Sequence, residues 1–492
     1  MTRPISPKMW FWGSVGAWAV LHIVLAASLQ ISGDEAYYWD CARHFDWAYY
    51  DQPGLMIWPI AFFRLILGDV SLAVRAPAIL ASFVIALMML GLVRRLGGGY
   101  RHAAVAYSLL HLMPAFFLGS FYESTDIGLA AASIGATWAA VAVAQGDRRG
   151  WWAFGLAMGL GFLAKFPIVV MAPIILVALA SKEARDDLRT PTPWLAAMMS
   201  LALTAPVWIW AVQNDWDNIF FQGMGRIEDH GLTLKFLGEF VGASLALATP
   251  FLAVAIIVAL WLFVVKGRVD RWVVITAALM PFLFFGLISL TSRVGGHWGG
   301  PGMVIGAVVL SLVTFRGRRG LIWAGGIFGL VLVLAVIGIV LRPDLLMDAQ
   351  WSYEGRPKRF NTKKLAAILG NEAMTAELLR RFGDDEAILL TSYTDTHLFA
   401  FLSKGKLPTR LASLSRGKHG LASLYWHPRG DLIGKDVVVV MPKARQARLL
   451  PTYCTSVEEL EPLEFRRNGE VIRHELVSMC RGVTRDGGAF SR

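Results

Sequence analysis

The chain has 492 residues, of which 55% are hydrophobic and only 17% charged, with 19 Trp and a formal net charge of +11. A soluble protein of this length carries about a quarter charged residues, so a purely soluble enzyme is excluded and a membrane protein with some soluble mass is expected. The positive charge does not point to nucleic acid, because the basic residues sit in short hops between apolar runs, such as Arg94-Arg95, Arg148-Arg149, Lys182 to Arg189, Lys266 to Arg271 and Arg316 to Arg319.

The first apolar run, Trp10 to Leu29, is long enough to span a bilayer and is followed by no small-residue cleavage site, so it is expected to stay as a helix. Directly after it, Ser32 to Trp39 places Asp34 and Glu35 beside Tyr37, Tyr38 and Trp39. A second cluster, Trp47 to Gly54, sets Asp51 and Gln52 among Tyr49, Tyr50 and a Pro-Gly turn. Charge that close to the end of a span is costly unless it has a task.

Further apolar runs follow at 72–93, 102–118, 125–144, 151–164, 167–180, 192–212, 241–264, 272–290, 299–315 and 321–341. They predict a polytopic α-helical membrane protein of about eleven transmembrane helices. The runs at 151–164 and 167–180 are shorter than the roughly twenty residues a span needs, and Lys165 stands between them before Phe166-Pro167. Alternating sides from a cytoplasmic N-terminus puts roughly sixteen Lys and Arg inside against about six outside. This orientation, N-terminus in and C-terminus out, divides the chain into a membrane domain, 1–341, and a soluble extracytoplasmic domain, 342–492.

The tail reads as α/β. Thr362 to Phe382 is built of good helix formers, Ala387 to Leu390 and Val437 to Met441 are short buried-strand runs, and Asn468-Gly469 is a hairpin signal. It carries no glycine-rich phosphate loop and no triad pattern. Cys41, Cys454 and Cys480 form no metal-ligand pattern; in an extracytoplasmic tail Cys454 and Cys480 fit either a disulfide or two thiols.

With the sides assigned, Asp34, Glu35, Asp51, Glu123, Asp126, Lys165, Arg226, Glu228, Asp229, His230, Arg293 and His297 all fall on the outer face. Acids and cations at one membrane surface suit transfer of a group from an anionic lipid to a hydroxyl. A glycosyl group on a lipid phosphate needs a carboxylate to take the acceptor's proton, cations to hold the departing phosphate, and exclusion of water. Asp34 is the candidate base, and Lys165, Arg226 and Arg293 are the candidate phosphate contacts. A donor already activated as a phosphate ester requires no nucleotide site.

Plainer readings stand beside these. Asp34 and Glu35 also fit interfacial charges within an aromatic belt, Lys165 fits a snorkelling lysine, and Glu123 and Asp126 fit acids favoured at a helix N-terminus. Asp51 with Glu35 or His297 gives no ligand signature, so no metal site is assigned, although a divalent metal is compatible with the chemistry. A lipid or solute transporter is the rival function; it calls for charges through the bilayer midplane rather than at one face. A tail that recruits the acceptor or a partner is a third reading.

The acidic pair in the first outer loop, Tyr49-Tyr50-Asp51-X-Pro53, the segment Gly-Asp-Val-Ser-Leu-Ala-Val-Arg-Ala-Pro at 68–77 and Gly-Leu-Gly-Phe-Leu-Ala-Lys-Phe at 159–166 together resemble the bacterial polyprenyl-phosphate-sugar-dependent glycosyltransferases. This is the membrane glycosyltransferase C (GT-C) fold, which includes protein O-mannosyltransferases and the aminoarabinose transferases of lipid A. The resemblance covers roughly the first 340 residues. It implies an inverting, periplasm-facing inner-membrane transferase that takes a sugar from undecaprenyl phosphate or a related lipid to lipid A or lipopolysaccharide, another lipid, or a protein serine or threonine. It also implies that Asp34 is the base, Asp126 a second acid, and Lys165 the cation facing the donor phosphate. The reading of the residues adds Glu35 beside the base and Tyr37, Tyr50, Asp51, Gln52, Arg226, Arg293 and His297 as candidate substrate contacts. The family often carries Lys or His where this chain has Gln52, a neutral amide that hydrogen-bonds an oxygen but does not neutralise it.

Overall fold

The computed structural model describes residues 6–225, 231–264, 268–342, 350–353, 356–359, 369–384, 387–414, 420–467, 469–486 and 489. These residues form two compact units that do not follow the chain in order. One gathers 1–28, 52–59 and 75–334; the other gathers 29–51, 60–74 and 335–492.

The first unit is a helix bundle. Among the described residues of the chain, five helices are long and apolar enough to span: Pro7–Ser28, Ser71–Arg95, Thr125–Ala144, Val269–Ile288 and Arg318–Leu341. Two bent pairs, Pro191–Leu203 with Ala205–Gln213 and Leu234–Ala248 with Pro250–Phe263, raise the number to seven. Eleven apolar runs were expected, and several of them form helices that are shorter than a span or bent at proline. The run at 102–118 divides into Tyr100–His111 and Pro114–Gly119, and the run at 241–264 turns by 94° at Pro250. Thr249 forms that corner with a φ of +64° and caps the next helix through its hydroxyl, which accepts the Leu252 N–H at 3.3 Å. Apolar side chains such as Trp261 and Leu287 remain 74% and 68% exposed, as helix faces meant for lipid must be. The chain is a multi-pass membrane protein.

Helices Thr125–Ala144 and Arg149–Ala164 form a tight antiparallel hairpin. A side chain at Gly150 would bring its Cβ within 2.7 Å of the Ala139 carbonyl, so only glycine allows this approach. The hairpin gives the bundle two distinct ends. At its turn, basic residues pair with acids: Arg95 with Asp147 at 2.5 Å, Arg148 with Asp187 at 2.6 Å and Arg268 with Asp270 at 2.7 Å. The opposite end holds Asp126 and Lys165.

Glu123 is fully buried and accepts the Ala78 N–H at 3.0 Å, next to Pro77 inside helix Ser71–Arg95.

In the second unit, strands β1 (Gln350–Tyr353) and β2 (Arg356–Arg359) form a hairpin. A five-stranded mixed sheet has the order β4-β3-β5-β7-β6, with β3 (Ile388–Leu390), β4 (Thr409–Leu411), β5 (Val437–Met441), β6 (Cys454–Arg467) and β7 (Glu470–Val483). The predicted strands are β3 and β5, and the predicted hairpin joins β6 to β7, with Gly469 at φ +82°; Asn468 lies outside the described residues. The predicted tail helix is Asn371–Phe382, and 362–368 likewise lie outside them. Cys454 and Cys480 are disulfide-bonded, and Cys41 is a buried free thiol.

The sheet carries helix Tyr393–Leu402, and helix Gly33–Arg43, which follows the first long helix in the chain, packs on it. Gly33 makes this fit possible, since a Cβ there would fall 2.5 Å from the Cβ of Thr394. Trp39 meets Phe401 edge-on at 5.2 Å. Arg473 of β7, buried, joins the Asp395 carboxylate at 2.7 Å, Glu475 at 3.0 Å and Asn371 at 2.7 Å, fastening the sheet to both tail helices.

Candidate active site

In the bundle, helix Arg149–Ala164 stops because Pro167 follows, and Lys165 adopts an extended conformation at the break (φ −162°, ψ 129°). The break turns its ammonium into protein: Lys165 is only 8% exposed, and Nζ donates to Asp126 Oδ1 at 2.6 Å. Asp126 stands in the first turn of Thr125–Ala144, where the helix dipole favours an anion. His297, from the short turn Gly296–Gly299, brings Nε2 to 3.8 Å from Asp126 Oδ2, and the Trp298 ring lies 5.9 Å from the Lys165 ammonium. Three residues expected from the sequence, Asp126, Lys165 and His297, therefore meet at one point.

Other expected residues of this unit are placed differently. Arg293 makes a two-point pair with Glu239, Nε to Oε2 at 2.9 Å and Nη2 to Oε1 at 3.2 Å, on the exposed surface. Like Lys165 it is paired with a carboxylate, but it is exposed where Lys165 is buried. Gln52 is buried, and among the described residues its Nε2 has no hydrogen-bond partner. Arg226, with Glu228, Asp229 and His230, lies outside the described residues.

In the second unit, Ser32 starts helix Gly33–Arg43 with a capping box. The Ser32 N–H donates to Glu35 Oε2 at 3.0 Å and the Glu35 N–H donates to Ser32 Oγ at 3.2 Å. This separates the two adjacent acids. Glu35 is fully buried in the cap, while Asp34 remains exposed and accepts a hydrogen bond on Oδ1 from the Tyr393 hydroxyl. Tyr37 is 4% exposed and donates to Asp51 Oδ1 at 2.8 Å; burial, and then the Asp51 carboxylate, raise its phenol well above the ordinary range. Tyr50, half-buried, stacks on Tyr425 at 5.5 Å.

Two residues the sequence reading did not single out, Asp40 and His397, hold the base of this arrangement. His397, wholly buried, places Nδ1 2.9 Å from Asp40 Oδ2, and Arg43 reaches Asp40 Oδ1 at 3.2 Å. Burial pushes the Asp40 carboxyl up, but His397, Arg43 and His44 together outweigh it and hold Asp40 below its ordinary value. Asp40 with Arg43 and His44 is visible as a local i, i+3, i+4 pattern. Tyr393 and His397 had no such signal, since they lie more than 350 residues away in sequence. Among the described residues, no group of three His, Cys, Asp or Glu side chains is arranged to hold a metal.

Comparisons with known proteins fit this architecture. A family described as dolichyl-phosphate-mannose-protein mannosyltransferase matches residues 51–210. No curated protein matches in sequence. Among solved structures, ArnT from Cupriavidus metallidurans bound to undecaprenyl phosphate superposes with a TM-score of 0.67 at 14% identity, over 99% of this chain and 100% of that one. The apo state of the same protein gives 0.64 at 16% identity, over 95% and 97%. The mycobacterial arabinofuranosyltransferase AftD gives 0.51 at 14% identity, over 98% of this chain but 42% of its own. The chain has the GT-C fold of the membrane glycosyltransferases.

Proposed function

We propose that this protein is an inner-membrane glycosyltransferase that moves one sugar from a polyprenyl phosphate to a hydroxyl on an extracytoplasmic lipid, glycan or protein. The observation that carries the reading is the buried Lys165 ammonium, held at a helix break by Asp126, which His297 also approaches, at the bundle end opposite the Arg–Asp pairs. A buried cation at one end of a membrane bundle suits a lipid phosphate, and the undecaprenyl phosphate bound to ArnT supports a donor of that kind.

In the proposed reaction, Asp34 accepts the proton of the acceptor hydroxyl as its oxygen bonds to the anomeric carbon. The bond from that carbon to the phosphate oxygen breaks with inversion, and its electron pair leaves with the polyprenyl phosphate. Lys165 meets the developing phosphate charge, and the Gln52 amide donates a hydrogen bond to a donor oxygen. The base is assigned to Asp34 rather than Glu35 because Glu35 is buried in its own helix cap. The Cys454–Cys480 disulfide supports an oxidising compartment, and so an outward-facing tail. The test is label transfer from a panel of polyprenyl-phosphate sugars to cell-envelope acceptors by the purified protein. Transfer from one donor establishes the reaction; no transfer from any donor moves the transporter reading to the front.

A further inference from the structure

Asp34 sits exposed in the first turn of helix Gly33–Arg43, on a short side chain with two rotatable bonds. A base so placed samples many orientations unless something fixes its carboxylate. Among the described residues, its side chain has one hydrogen-bond partner, the Tyr393 hydroxyl, and that partner comes from the tail.

Tyr393 is itself firmly seated. It opens helix Tyr393–Leu402, which is capped by Ser392, whose Oγ accepts the Asp395 N–H at 3.4 Å. Its ring meets Tyr37 edge-on at 6.4 Å, and Gly420, at φ +73°, lies against it so closely that a Cβ there would fall 2.7 Å from the Tyr393 Cβ. One helical turn further on, the buried Asp40–His397 pair locks the same two helices together. The hydroxyl is thus presented to Asp34 from a rigid base.

We propose that Tyr393 is a positioning residue for the base, so that a tail residue sets the geometry of proton transfer; this rests on the assignment of Asp34 above. The phenol donates to Oδ1 and fixes the carboxylate plane, which turns Oδ2 toward the acceptor hydroxyl. A phenol suits this task because it is neutral at physiological pH. It orients the carboxylate without binding it as a counter-ion, and the oxygen lone pair needed for the acceptor's proton stays available.

The test compares wild type with Tyr393→Phe, which keeps the ring and removes the hydroxyl, in the label-transfer assay. The expected result is a fall in kcat of about ten- to a hundredfold with the KM of donor and acceptor unchanged and the melting temperature preserved. Adding Tyr393→Phe to Asp34→Asn is expected to cause no further loss. Wild-type kcat in Tyr393→Phe beside an inactive Asp34→Asn overturns the role of Tyr393 alone, whereas full activity in Asp34→Asn overturns the base assignment beneath it. If Tyr393→Phe fails to fold, protein with 3-fluorotyrosine at position 393 decides, since it keeps the hydrogen bond but alters its strength. A changed kcat at constant KM supports the positioning role, and an unchanged kcat overturns it.

Discussion

Asp34 and Asp126 are both acids in the first turn of a helix, yet their surroundings give them opposite aptitudes. Asp126 is half-buried and shares its two oxygens between the Lys165 ammonium and His297. Asp34 is exposed and accepts from a tyrosine hydroxyl. A carboxylate tied to a cation holds that cation in place, whereas one oriented by a neutral hydroxyl carries no counter-ion. Under the proposed function, the same side chain type positions Lys165 in the bundle and accepts a proton in the segment after the first long helix.

The sharpest way to break this contrast is Asp34→Asn. Removing the base is expected to lower kcat by about a thousandfold with folding intact, measured by label transfer alongside a thermal melt. Lys165→Met comes next, with kcat/KM expected to fall by about a hundredfold and donor binding weakened, since one preorganised cation toward developing charge is worth about that much. A smaller effect, on stability, is expected from Asp40→Asn. It leaves His397 buried without its acid and is expected to destabilise the second unit by about 3 kcal/mol in chemical denaturation.

The pH dependence of that last variant has a definite sign. Asp40 is held below its ordinary value, so its contribution is present above the unfolded carboxylate value of about 4 and is lost as pH falls through the lower folded value. Wild-type melting should thus decline below about pH 4, and the decline should be shallower in Asp40→Asn. Reducing Cys454–Cys480 is expected to matter least, lowering tail stability by about 2 to 3 kcal/mol without abolishing transfer.

Much of the bundle end could be read in the sequence. Alternation of spans puts 126, 165 and 297 on one side whatever the packing, and Pro167 marks the break that buries Lys165. The capping box Ser32-X-X-Glu35 is a local pattern that the sequence reading passed over, and it separates the acidic pair into a structural glutamate and an exposed aspartate. Hydropathy averaged across Pro114 and Pro250 could not reveal where apolar runs break into shorter helices. The Arg293–Glu239 pair depends on how two segments 54 residues apart are packed, and the Tyr393–Asp34 bond spans 359 residues. No local pattern encodes either one.

The most direct test sets Asp34→Asn beside Asp126→Asn, both purified and assayed for transfer from the same polyprenyl-phosphate sugar over a range of donor concentrations. The expected result is background turnover in Asp34→Asn at every concentration, with Asp126→Asn recovering turnover as donor rises, because its defect lies in holding Lys165 and the phosphate. Full turnover in Asp34→Asn, or a complete loss confined to Asp126→Asn, would contradict the division of labour between the two acids.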